Sequence, residues 1–224
     1  WKFDFHNHTP ASSDYGATER EVLSPRDWLL AYMRSGVDCV AITDHNNGDW
    51  IDRLQDELNS MKSEQPRHID YRDLYLFPGV ELTSADSIHV LAIFSPDDSA
   101  SKIHGILRLA QYNNDVNNAH GMCGMGAASI CDHIHNEGGI VVLAHAEEIN
   151  GLFNSTTTAR EFSPRADRVI EQVLEKADAI EIHNENAQAV RHFASKLEGR
   201  AIVNGSDAHK TSNAGTRWVW VKMA

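Results

Sequence analysis

The sequence predicts an α/β fold closed, or nearly closed, into a barrel, and three observations carry that prediction. Short apolar runs alternate with amphipathic stretches about seven times, the rhythm of a parallel α/β sheet. The units are short, and no Gly-rich dinucleotide or phosphate-loop motif marks an open doubly wound sheet. The polar residues that end the apolar runs are repeatedly His, Asp or Glu, and in a barrel the carboxyl ends of the strands meet at one mouth.

Lys2-Phe3-Asp4-Phe5-His6-Asn7-His8 alternates apolar and polar residues as a half-buried strand does. His6 and His8 then share a face, and two neutral imidazoles joined by an acidic group can hold one metal ion. With 13 His in 224 residues, an H-x-H pair arises by chance about once. His133-Ile134-His135, in a helical stretch where such residues diverge, is read as that chance pair. Thr9 to Gly16 is a turn-rich loop holding Asp14. Ser24-Pro25 opens a helix with the apolar stripe Trp28, Leu29, Tyr32 and Met33, and Gly36 stops it. Val37 to Thr43 reads as a buried strand delivering Asp44-His45.

Trp50 to Ser63 is a polar-faced helix. The strand Leu74 to Val80 reads as broken by Pro78-Gly79 and ends in Glu81. Ile88 to Phe94 is a strand that begins with His89, which reaches the mouth if an antiparallel or bulged connection turns it round. Residues 100 to 112 form a helix. The Asn- and Gly-rich loop Asn113 to Gly126 is expected to be the most mobile segment. A helix from Ala127 to Glu137 ends at Gly138-Gly139, and Ile140 to Ala144 delivers His145. Arg160 and Arg165 read as solvated loop charges, and Pro164 opens a helix through Lys176. Ala179 to His183 is a strand that brings Glu181 and His183 to the mouth, and Ala187 to Leu197 is its helix. Ala201 to Val203 leads into Gly205-Ser206-Asp207-Ala208-His209, and Trp218 to Val221 closes the chain as a strand. His68, His104, His120 and His192 have no acidic partner at ligand spacing and read as surface residues.

A hydrophobic fraction of 42% over 224 residues supports one sizeable core, hence one domain over residues 1–224. No apolar run approaches the roughly 18 residues that span a bilayer, and the start lacks a signal-peptide layout. The 3 cysteines have no CxxC spacing and read as reduced thiols of a cytoplasmic protein. The net charge of −12 argues against a broad basic surface for nucleic acid. Bound divalent cations would reverse that sign locally. The start at Trp1 and stop at Ala224 read as a piece of a longer protein.

The stretches Asp4-Phe5-His6-Asn7-His8-Thr9, Ala41 to Asn46, Pro78-Gly79-Val80-Glu81, His89-Val90-Leu91, Leu143-Ala144-His145 and Gly205 to His209 resemble, in order and over essentially the whole chain, the motifs of the PHP (polymerase and histidinol phosphatase) superfamily. The resemblance implies a distorted (βα)7 barrel with up to three divalent ions. It implies a first ion on His6, His8, Glu81 and Asp207, a second on Glu81, His89 and His145 with Glu81 bridging, and a third on Asp14, His45 and His209. Asp14 departs from the pattern, because many relatives carry a histidine there. More narrowly, the opening, the segment Gly139 to Phe153 and the closing Trp218 to Met223 are similar to the PHP module at the head of large TrlF-type ATPases. That similarity implies a C-terminal AAA- or SMC-like ATPase domain as partner, and some such relatives are linked to nucleic-acid processing or phage defence.

Imidazole mixed with carboxylate suits Zn, Mn or Fe. Two ions about 3.5 to 4 Å apart can bind a phosphate, activate a water and stabilise the leaving oxygen without a side-chain nucleophile. No G-x-S-x-G or Cys-His signature is present. Glu81, Asp207 and His209 are assigned to catalysis, with Lys210, Arg20 and His183 facing the substrate. The expectation is a phosphoesterase acting on nucleic acid or a nucleotide phosphodiester, possible as a homo-oligomer and away from membranes. The preference for nucleic acid rests on the resemblance. Alternatives are a small-molecule phosphatase of the histidinol-phosphate type, an amidohydrolase-type barrel, for which a strand-ending Lys is missing, and a regulatory metal module with little turnover.

Overall fold

The computed structural model describes residues 1–114, 118–155 and 162–223. Its sheet has eight strands in the order β7-β6-β5-β4-β3-β2-β1-β8. They are β1 (Lys2–Asp4), β2 (Cys39–Ile42), β3 (Tyr75–Thr83), β4 (His89–Ile93), β5 (Ile140–Leu143), β6 (Ala179–Glu181), β7 (Ile202–Val203) and β8 (Val219–Trp220). The helices are α1 (Ala17–Arg20), α2 (Pro25–Ser35), α3 (Ile51–Ser63), α4 (Ala100–Leu109), α5 (Ala127–Asn136), α6 (Asp167–Leu174), α7 (Gln188–His192) and α8 (Ala194–Leu197).

β2, β4 and β6 are buried on both faces, which is why they read as apolar runs. Phe3, Phe5, Cys39, Ala41, Leu91, Ile93, Val142 and Ala144 fill the barrel interior. Their neighbours Val40, Ile42, Val90, Ala92, Val141 and Leu143 face the helices and join Trp28, Leu29, Leu54 and Ile130. This is the period-two alternation of a strand with apolar residues on both sides.

The sheet is nearly closed. β1 and β7 make no ladder, but their tips are joined: Asp207 N–H donates to His6 O at 2.8 Å and His8 N–H to Ala208 O at 3.2 Å. The buried Asp4 carboxylate also accepts from the Ser206 N–H and hydroxyl at 2.8 and 2.6 Å. The barrel expectation holds, with two departures from parallel order. β4 is antiparallel to both β3 and β5, and β8 is antiparallel to β1. The reversal of β4 sets Thr83 opposite His89, so the first residue of β4 lies at the end where β3 finishes.

Several boundaries differ from expectation for local reasons. β3 runs unbroken through Pro78 and Gly79. Pro78 lacks an N–H but still accepts from Phe94 N–H at 2.8 Å, and Gly79 lies where a Cβ would come 2.7 Å from Ala92 O. α6 starts at Asp167 because Pro164 is held in a β-bridge to Asn154. The helix expected over 187–197 is divided at Phe193, whose buried ring stacks on Phe153 at 5.1 Å. Arg165 is not a solvated charge: its guanidinium donates to Asp86 O at 2.8 Å, Ser87 O at 3.1 Å and Leu152 O at 3.2 Å. Arg160 lies outside the described residues, as does part of the Asn113 to Gly126 loop.

Candidate metal centre

Every ligand expected from the sequence arrives at the mouth formed by the carboxyl ends of the parallel strands and the start of β4. His6 and His8 follow β1, His45 follows β2 and pairs with Glu81 in a β-bridge, and His145 follows β5. His145 and Asp207 have positive φ, 27° and 47°, a sparsely populated conformation for non-glycine residues that gathers at functional sites.

Glu81 is the hub, only 1% exposed, and its two oxygens serve different sides. Oε2 lies 3.1 Å from His6 Nε2, 3.5 Å from His8 Nε2 and 3.2 Å from His45 Nδ1. Oε1 lies 2.6 Å from His89 Nδ1 and 3.2 Å from His145 Nε2. Asp207 Oδ1 completes the first group, 3.6 Å from His6 Nε2 and 3.2 Å from His8 Nε2. In the third group Asp14 Oδ2 lies 3.2 Å from His45 Nε2 and 3.1 Å from His209 Nε2.

These separations fit metal ions. Bonds of 2.0–2.1 Å in a tetrahedron place neighbouring donor atoms about 3.3 Å apart. His6 Nε2 and His8 Nε2 face each other at 3.2 Å, and His89 Nδ1 and His145 Nε2 at 3.3 Å. When both imidazoles of a pair are neutral at these nitrogens, their lone pairs can share one ion. The sets His6/His8/Glu81, Glu81/His89/His145 and His8/His45/His209 each gather donor atoms within 4.8 Å.

Hydrogen-bond bookkeeping fixes the tautomers. Glu181 Oε2 accepts from His6 Nδ1 at 2.8 Å and from His145 N–H at 2.9 Å, so that a neutral His6 turns its Nε2 lone pair toward the mouth. The Ser12 hydroxyl donates to Asp44 Oδ1 at 2.7 Å and accepts from His45 N–H at 3.0 Å. Its remaining lone pair takes His8 Nδ1–H at 2.9 Å, so His8 Nε2 is also free. His209 Nδ1 donates to Asp207 O at 3.0 Å. Gly205 permits this packing, because a Cβ there would lie 2.5 Å from His6 Cβ and 2.6 Å from Glu181 Oε1.

Electrostatics follow the same plan. Burial would raise the Glu81 carboxyl, yet His45, His6 and His89 hold it well below the usual range. Burial disfavours charge on His6, but the Glu181, Glu81 and Asp207 carboxylates outweigh it and raise it well above 6.5. Burial pushes His8 down to about 3, with His45 and His209 adding to the effect. His209 is raised to about 9, the Asp14 and Asp207 contacts overcoming burial. Among the described residues no Lys or Arg forms an ion pair with Glu81, Asp207 or Asp14, so the cations for these carboxylates must be protonated imidazoles or bound metal.

The residues expected to face substrate are placed differently from one another. Lys210 is exposed beside the His209 segment, and Arg20 is exposed with its guanidinium held on Ser13 O. The His183 side chain is wedged between Glu181 Oε1 at 3.2 Å and Glu148 Oε1 at 3.3 Å, and it is raised to about 9. Sequence reasoning missed Ser12 and Asp44 as supports, since Ser and Asp in a turn look like ordinary turn chemistry.

No family model matches the chain, and no curated protein does. Solved structures do. The lesion-specific endonuclease PfuEndoQ from Pyrococcus furiosus aligns with TM-score 0.64 and 15% identity over 96% of this chain and 50% of its own. An Endonuclease Q bound to a 27-mer duplex with an abasic lesion aligns with TM-score 0.58, 16% identity, and 94% and 49% coverage. The chain thus spans about half the length of these endonucleases. A Bifidobacterium adolescentis protein provisionally described as a metal-dependent phosphoesterase gives TM-score 0.57 and 17% identity, over 92% and 87% of the two chains. An amidohydrolase from Chromobacterium violaceum gives 0.59 and 15%, over 98% and 92%. At such identities the likeness establishes the barrel fold.

Proposed function

We propose that residues 1–224 form one metal-dependent phosphoesterase domain that hydrolyses phosphodiester bonds, with DNA or RNA as substrate class. The carrying observation is the division of the two Glu81 oxygens between two groups of imidazole nitrogens. His6, His8, Glu81 and Asp207 would hold one ion, Glu81, His89 and His145 a second, and Asp14, His45 and His209 a third. When bound, divalent Zn, Mn or Fe would supply Lewis-acid polarisation of the phosphate and an activated water. The chain's own contribution is to hold Glu81, Asp207 and the imidazoles before substrate arrives. Glu181 keeps the proton of His6 on Nδ1, and Ser12 with Asp44 does so for His8. The like fold of endonucleases that act on DNA supports the nucleic-acid reading. Among the described residues every ion-pair partner of Glu81, Asp207 and Asp14 is a histidine and none is a lysine, which speaks against the carboxylated-lysine chemistry of an amidohydrolase. The ATPase partner rests on the sequence resemblance alone. Among the described residues no helix is long and apolar enough to cross a membrane.

A second reading, a small-molecule phosphomonoesterase, is favoured by the small pocket beside the centre, of about 310 Å³. One experiment separates the two. Metal content by elemental analysis, with cleavage of a labelled oligonucleotide and of small phosphomonoesters, is measured on wild type and Asp207→Asn. Two or three ions per chain with oligonucleotide cleavage lost in the variant is expected. Cleavage of phosphomonoesters alone would replace the nuclease reading, and protein without metal would end both.

A further inference from the structure

The pocket beside the centre adjoins Asp14, His45 and His89 and so lies between the second and third donor groups. Among the described residues no Lys or Arg lines it, and the Asp14 carboxylate on its rim is already paired with His45 and His209. The phosphate of an ester has to be held on the donor groups themselves, so this space is left for what the phosphate carries. Thr83, Ser87, Asn150, His120 and Met122 line it, the last 40% exposed. Thr83 Oγ1 is buried, in a residue 5% exposed, and has no hydrogen-bond partner among the described residues. A buried hydroxyl left unpaired costs stability, and a turn about χ1 that brings it to the pocket would let a ligand recover the loss. His120 and Met122 add a polarisable face suited to a flat base.

The wall is fixed from three sides. Thr83 faces His89 across the β3–β4 ladder. Ser87 O accepts from Arg165 at 3.1 Å, and Asn150 O accepts from His89 N–H at 2.8 Å. The segment carrying His120 and Met122 hangs from neighbours of the proposed ligands. Asn46 Nδ2 donates to Asn118 O at 3.1 Å and to Gly121 O at 3.2 Å, and Ala119 N–H donates to Ser13 Oγ at 3.1 Å. About 310 Å³ is at the small end of ligand pockets, room for one nucleotide residue and not a run of strand.

Resting on the phosphoesterase reading, we propose that this pocket binds the single nucleoside attached to the scissile phosphate, with Thr83 and Asn150 as its hydrogen-bonding contacts. The test is calorimetric titration of metal-loaded protein with three compounds that resist hydrolysis: methylphosphonate, and the phosphonate analogues of ribose 5-phosphate and adenosine 5′-monophosphate. The nucleoside compound should bind roughly 10-fold or more tighter than methylphosphonate, the gain expected of one or two well-made hydrogen bonds with base contact. Thr83→Val and Asn150→Ala should each remove most of that gain while leaving methylphosphonate affinity and metal content unchanged. Equal binding of all three compounds, or variants that weaken all three alike, would overturn the pocket assignment and leave the phosphoesterase reading standing. A ribose compound binding as tightly as the nucleoside compound would replace the nucleoside by a sugar. Loss of methylphosphonate binding in loaded wild type would instead remove the phosphoesterase reading and the pocket with it.

Discussion

At the scale of single residues, the centre depends as much on side chains behind the imidazoles as on the imidazoles. Glu181 is fully buried and accepts from both His6 Nδ1 and His145 N–H through one oxygen. Replacing it by Gln keeps the shape but removes the charge that holds the His6 proton on Nδ1. Glu181→Gln is therefore expected to weaken metal binding about 10–100-fold, as loss of such a support typically does. Equilibrium dialysis against a competing chelator reads this directly, and unchanged affinity would mean that His6 is oriented by packing alone. The ligand candidates were legible because a metal centre at a barrel mouth requires His, Asp and Glu where apolar strands end, and a sequence shows that placement directly. Ser12, Asp44 and Thr83 were not legible: each is a common loop or strand residue whose role comes only from what the fold sets beside it.

At the scale of elements, close backbone approach decides which substitutions the sheet accepts. β3 pairs with β2 on one side and β4 on the other, and a Cβ on Gly79 would come 2.7 Å from Ala92 O and 3.1 Å from Ile42 O. Both neighbours are ladder backbone and cannot move singly. Gly79→Ala is expected to lower stability by about 1–3 kcal/mol, the usual cost of overpacking, and to loosen metal binding because Glu81 lies two residues on. Urea unfolding of both proteins measures the difference, and a change below about 0.5 kcal/mol would show that the strands separate without strain. Pro78-Gly79 read as a break because such a pair ordinarily ends a strand. The local signal misled because Pro78 keeps its acceptor in the ladder and Gly79 is needed for the contact. The direction of β4 was left open for a different reason: strand polarity is set by which tips can meet, and period-two patterning is the same in both directions.

At the scale of the whole molecule, the centre gathers more carboxylate and imidazole than a metal-free protein holds comfortably, which ties stability to pH and to metal. In the metal-free chain His183 and His209 are raised to about 9 against an ordinary 6.5. A histidine raised on folding stabilises the folded chain fully below about 6.5 and loses that contribution as pH climbs through its folded value. The carboxyls of Asp14, Glu81 and Asp207 are held low, so their contribution is already complete above about 5 and stays flat in this window. The lowered His8 and His89 act only below about 6.5 and do not offset the loss. Metal-free protein should therefore melt at progressively lower temperature from about pH 6.5 to pH 9. Metal binding needs His6, His145 and His209 deprotonated at their ligand nitrogens, so affinity rises with pH over the same window. At pH 8 with metal at about 100 times its Kd, linkage supplies about 2.7 kcal/mol, or roughly 5–11 °C for a chain of this length. Differential scanning of loaded and chelated protein at several pH values should show two curves that diverge as pH increases. Parallel curves would mean that the raised imidazoles are not the groups the metal displaces protons from, and the assignment of His6, His145 and His209 as ligands would fall with that result.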